Sequence, residues 1–85
     1  MEKIKNWLIT WFSENTEAVA ETLQQTWNSN YVEQGLIDSF QFLGLIADVE
    51  NSFGFSFTEE DLTDGAILTL KGLAEKIDRL TGKEA

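Results

Sequence analysis

The sequence predicts a small all-α fold: a bundle of three main helices plus one or two short ones. Three observations predict it. Apolar residues recur at helical spacing in three separate stretches of the chain. Capping-box patterns stand at two helix starts, Asp38 with Gln41 and Thr58 with Asp61. The one alternating stretch, Phe55-Ser56-Phe57, is too short to build a sheet. At 85 residues the chain is read as a single domain over 1–85, with one modest core.

The first helix is expected over residues 2 to about 13. Ile4, Trp7, Leu8, Trp11 and Phe12 share one of its faces. Between residues 14 and 27 the signal is weaker. Val19, Leu23 and Trp27 are spaced by four, so a short helix is expected there, capped by Asn15 or Thr16. Asn28-Ser29-Asn30 then breaks the pattern. The strongest helix signal follows Asp38: Phe40, Phe42, Leu43, Leu45, Ile46, Ala47, Val49 and Phe53, with Gly54 as stop. Its polar stripe is narrow, Gln41, Gly44, Asp48, Asn51 and Ser52, and so wide an apolar arc predicts a helix contacted on several sides. Phe55 or Phe57 is expected in the core, and the capping box at Thr58 predicts a short helix ending near Asp64-Gly65. Leu70, Leu73, Ala74, Ile77 and Leu80 define the last helix, with Thr69 as cap and Gly82 as stop.

Composition excludes several functions. The chain has no cysteine and no histidine, which removes thiol chemistry, zinc-thiolate sites and the usual general base. No catalytic residue and no metal ligand is assigned. An EF-hand register on Gly65 fails, because Leu62 and Lys71 fall where oxygen ligands are needed. From Asn6 to Leu70 there are eleven acids and no base, and all six bases lie at the two ends. Nucleic acid is therefore not expected as a partner, and a basic protein surface is the natural complement. No run approaches the length of a membrane span, so a soluble cytoplasmic monomer is expected.

Asp38-Ser39 is the pair that carries chemistry. It places a hydroxyl on the first turn of the best-defined helix, where the macrodipole and free N–H groups favour an anion such as a phosphate ester. The bland alternative is a mere helix start, since both residue types favour that position.

Residues 30–77 resemble an acyl carrier protein, in the wider family that includes peptidyl and D-alanyl carrier domains. The resemblance rests on Tyr31-Val32-Glu33-Gln34-Gly35-Leu36-Ile37-Asp38-Ser39, on the helix from Ser39 to Phe53, and on the short helix before Thr69. It implies a right-handed bundle that is not itself an enzyme. It also implies a 4′-phosphopantetheine arm attached to Ser39, beside Asp38, from coenzyme A by a phosphopantetheinyl transferase. The arm's thiol would hold an acyl group as a thioester. An acyl-loading ligase or acyltransferase and downstream synthase enzymes are the implied further partners. An aminoacyl cargo is the alternative within the family. A helical interaction module without prosthetic group is the alternative outside it.

Departures from the fatty-acid carriers suggest a specialised carrier in lipid or secondary metabolism. Phe40 stands where leucine is usual, and Gln41 and Gly44 where acids are usual. The expected partner face comprises Gln41, Phe42, Gly44, Asp48 and the Glu59-Glu60-Asp61 turn, with Phe42 alternatively facing the core. Gly44 and Gly72 each cost about 1 kcal/mol in a helix relative to alanine. Close packing or plain tolerance is the favoured reading; the sharper one is that Gly44 admits a partner, the arm or an acyl chain.

Overall fold

The computed structural model describes residues 2–81. Five α-helices and a 3-10 turn follow one another: α1 (Glu2–Asn15), α2 (Ala20–Gln25), α3 (Ser39–Phe53), α4 (Glu59–Leu62), the 3-10 turn Gly65–Leu68, and α5 (Leu70–Thr81). Among the described residues there is no strand, only an isolated bridge between Asn30 and Thr69. The all-α bundle of three long helices with short ones between them is the architecture the sequence predicts. Gly82, the expected stop of α5, lies outside the described residues.

The first helix runs two residues past its expected end, for a local reason. Asn15 Nδ2 donates to Trp11 O at 2.9 Å, and Thr16 Oγ1 donates to Phe12 O at 2.6 Å. These side chains add second donors to carbonyls of the last turn, that of Phe12 already accepting from Thr16 N at 2.9 Å. Asn15 and Thr16 therefore close α1; neither caps α2, as the sequence suggested. The N-cap of α2 is Val19, which makes no side-chain cap bond. Val19 is exposed, while Leu23 from the same spacing is fully buried.

Leu8 and Phe12 of α1, Leu45 and Val49 of α3, and Leu70, Leu73 and Ile77 of α5 meet in one core. Trp7 meets Phe53 edge-on, with ring centroids 5.6 Å apart, and joins α1 to α3. Phe57 is the buried residue of the alternating stretch, and Phe55 packs edge-on against it from a half-buried position. Thr69 caps α5 as expected, its hydroxyl accepting from Gly72 N at 2.9 Å. Gly72 is needed for close approach, since a Cβ there would lie 1.8 Å from Ala66 O. A Cβ on Gly44 would meet nothing within 4 Å, so close packing does not explain that glycine.

The wide apolar arc of α3 is only partly used. Leu45, Ile46 and Val49 are buried, and Phe42 and Phe53 are half-buried against the core. Phe40 and Leu43 stand 83% and 65% exposed, and Ala47 is exposed as well. The expectation that α3 is contacted on several sides is therefore corrected. It packs on one side and leaves an apolar face open.

Candidate functional site: a serine presented at the start of α3

The polar connection before α3 is tightly held. Asn30 Oδ1 accepts from the N–H groups of Val32 and Glu33, both at 2.9 Å, and starts a turn. Gly35 completes that turn at φ +79°, a left-handed conformation that disfavours side chains. Leu36 N donates to Tyr31 O, and Tyr31 N donates to Leu68 O, each at 3.0 Å. Tyr31 is 1% exposed, and its hydroxyl donates to Ile67 O. Its ring meets Phe12 edge-on at 5.2 Å and lies 6.3 Å from Phe42. One tyrosine thus pins the connection to α1, to α3 and to the 3-10 turn. Burial pushes its hydroxyl pKa well up, so it remains a neutral donor. Ile37 is buried two residues before Ser39 and fixes the direction in which the chain enters α3.

Asp38 then caps the helix. Its carboxylate accepts from Gln41 N at 2.8 Å, and Gln41 Oε1 accepts from Asp38 N at 3.2 Å. This is the reciprocal box the sequence announced. Ser39 is the first residue of α3, and it is exposed. The cap takes the third N–H of the helix. The N–H groups of Ser39 and Phe40, which have no intrahelical acceptor, remain beside the hydroxyl. A phosphodiester on Ser39 Oγ fits there: the oxygen is accessible, donors are adjacent and the dipole of a 15-residue helix favours the anion.

The other residues singled out by sequence are dispersed over several tasks. Gln41 is half-buried and engaged in the cap, and Phe42 is half-buried on the core side. Gly44 is exposed. The Asp48 carboxylate accepts from Trp11 Nε1 at 2.8 Å, tying α3 to α1. Glu50 Oε2 accepts from Phe57 N at 2.8 Å. Glu59 and Glu60 are exposed on α4. Asp61 and Asp64 converge on Lys76, whose Nζ lies 3.2 Å and 3.0 Å from them. The backbone N–H of Thr58 chiefly lowers the Asp61 pKa, and that of Ala66 chiefly lowers the Asp64 pKa, with Lys76 adding to both. Lys76 is raised in turn, first by its hydrogen bond to Asp64. Sequence reasoning missed the exposure of Phe40, Leu43 and Ala47. A surplus of apolar residues over what one packed face needs was the available signal.

Among the described residues no helix is long and apolar enough to cross a membrane, and no group of three or more His, Cys, Asp or Glu could hold a metal ion. What the fold and site define is a helical scaffold that presents one seryl hydroxyl on an exposed helix start. The family model for the phosphopantetheine attachment site matches residues 6–77. The chain belongs to this family of phosphopantetheine-binding carrier domains, whose members carry a covalently attached 4′-phosphopantetheine and interact with phosphopantetheinyl transferases and partner synthetic enzymes. No curated protein matches the chain. No solved structure matches it either.

Proposed function

We propose that this protein is an acyl carrier whose 4′-phosphopantetheine arm is attached to Ser39. The observation that carries this reading is the exposed Ser39 at the start of α3, capped by Asp38, inside the matched residues. In the attachment step Ser39 Oγ forms a bond to the pantetheine-bearing phosphorus of coenzyme A. The bond from that phosphorus to adenosine 3′,5′-bisphosphate breaks, and the nucleotide leaves. The base that takes the hydroxyl proton is assigned to the transferase, since this chain has no histidine and the adjacent Asp38 carboxylate is engaged in the helix cap. When bound, the arm supplies a thiol that holds an acyl group as a thioester.

The chain's own part is presentation. Tyr31 and Ile37 fix the connection, Asp38 and Gln41 fix the first turn, and the free N–H groups of that turn face a phosphate on the hydroxyl. A specialised carrier with its own loading ligase or acyltransferase fits the neutral residues Phe40, Gln41 and Gly44 that follow the serine. Intact mass after incubation with coenzyme A and a broad-specificity transferase tests the reading. The wild type should gain one phosphopantetheine, and Ser39→Ala should fold but gain nothing. A gain persisting in Ser39→Ala would place the arm elsewhere.

A further inference from the structure

Lys76 of α5 is the one buried charged side chain of the described residues, 8% exposed. Its Nζ lies 3.2 Å from Asp61 Oδ1 and 3.0 Å from Asp64 Oδ2. Both carboxylates belong to the stretch 58–64, which carries α4. No residue of that stretch is buried. Asp61 and Asp64, the two on Lys76, are half-buried, and the rest are exposed. Burial of apolar side chains therefore contributes little to keeping the stretch in place.

Within 58–64 the hydrogen bonds close on themselves. Thr58 and Asp61 cap α4 reciprocally, Leu62 N donates to Thr58 O, and Thr63 N donates to Glu59 O. Firm clamps stand on either side. Phe57 is buried, and its N–H donates to Glu50 Oε2 at 2.8 Å. Beyond the stretch Ile67 is fully buried, its carbonyl accepts from the Tyr31 hydroxyl, and Ala66 lies against the bare Cα of Gly72. Between these clamps, among the described residues, Lys76 is the one side chain from outside that bonds to the stretch. Four acids, Glu59, Glu60, Asp61 and Asp64, crowd these residues, and without the lysine they repel one another. The exposed Arg79 acts on Asp64 through space without pairing with it.

We propose that residues 58–64 form a strap that opens as a unit while the bundle stays folded, and that Lys76 is its latch. Phe57 and Ile67 are the fixed points, so opening stops there and leaves the connection before Ser39 in place. Opening carries Asp61 and Asp64 away and turns Lys76 from a buried into an accessible cation. A segment with few buried apolar contacts and exposed backbone hydrogen bonds opens well below the free energy of global unfolding. Hydrogen bonds between ionised partners are the strong kind, so one lysine suffices to hold so short a stretch.

Native-state hydrogen exchange on the full chain tests this. It is read at the amides of Asp61, Leu62 and Thr63 in the strap and of Leu45, Ile46 and Val49 in the core. Strap exchange should be faster than core exchange and respond less steeply to added urea, because strap opening exposes less surface. Ile4→Val, in α1, should speed core exchange about two- to tenfold and leave the strap within about twofold of wild type. Lys76→Met should speed strap exchange about tenfold or more, and Lys76→Arg should restore most of the protection. Acylation of lysine amines by a soluble active ester, mapped by mass, gives an independent reading. In the wild type Lys76 should react more slowly than the exposed Lys71, and in the double variant Asp61→Asn, Asp64→Asn it should react about tenfold faster or more. Strap amides that follow the core in Ile4→Val, or that match its urea dependence, would show one cooperative unit and overturn the strap. Strap exchange unchanged in Lys76→Met would overturn the latch.

Discussion

Trp11 Nε1 donates to Asp48 Oδ2 at 2.8 Å, so the central acid of α3 is an acceptor for α1. The indole is 9% exposed, whereas Asp48 belongs to an exposed position, so the bond sits at the rim of the core. It orients the helix that starts with Ser39 against the helix that opens the chain.

That bond separates two roles for Asp48. Asp48→Ala should destabilise the fold by about 1–2 kcal/mol, because the buried indole N–H loses its acceptor. Asp48→Asn retains an acceptor and should cost less, although it removes the same charge. Trp11→Phe and Asp48→Ala should couple in a double-mutant cycle of urea unfolding by about 0.5–1.5 kcal/mol. A coupling near zero would show that the bond contributes nothing. Equal loss of transfer rate in Asp48→Asn and Asp48→Ala, at unchanged stability, would return Asp48 to the expected partner face.

Stability should be flat around neutrality and fall at both ends of the pH range. Asp61 and Asp64 have lowered pKa values, so their contribution is complete above the ordinary carboxylate range near pH 4 and is lost as pH falls through the lowered values. Lys76 and Tyr31 have raised values, so their contribution is complete below about pH 10 and is lost as pH rises beyond it. Urea midpoints across the range would show this plateau. Lys76→Met should lower the neutral plateau and weaken the alkaline fall, and Tyr31→Phe should remove a further part of that fall. The acid limb should survive in Lys76→Met, since Thr58 and Ala66 still hold the carboxylates. An alkaline limb unchanged in both variants would count against these assignments.

The two helical glycines, Gly44 within α3 and Gly72 in the first turn of α5, should respond with opposite signs. Gly72→Ala drives a Cβ into Ala66 O, a backbone atom that cannot step aside, and should destabilise by about 1–3 kcal/mol. Gly44→Ala meets open space inside a helix and should stabilise by about 0.5–1 kcal/mol. Thermal unfolding of the two variants decides the point. A destabilised Gly44→Ala would mean that α3 is packed more closely than its open face indicates.

Local interactions wrote much of this fold into the sequence. The caps at Asp38, Thr58 and Thr69, the stop at Gly54 and the three long helices depend on residues within one or two turns of each other. They are legible because helical periodicity and capping are short-range effects. Asn15 and Thr16 show the limit of that legibility. Both residue types serve as N-caps, yet here their side chains reach back to the carbonyls of Trp11 and Phe12, and nothing in composition distinguishes the two uses.

By itself the sequence determined an acidic all-α chain without thiol or imidazole, a helix that starts at Ser39, and the resemblance that the family match bears out. Tertiary structure decided which side of α3 is buried. Apolar residues surround most of that helix, and periodicity cannot rank them; only the positions of α1 and α5 select Leu45, Ile46 and Val49 for the core and leave Phe40 and Leu43 outside. Tertiary structure also decided what the acids do. Asp48 reaches Trp11 across 37 residues, and Lys76 returns to Asp61 and Asp64 from another helix. A charge count sees neither contact, because hydrogen bonds and ion pairs depend on distances in space that the order of residues does not contain.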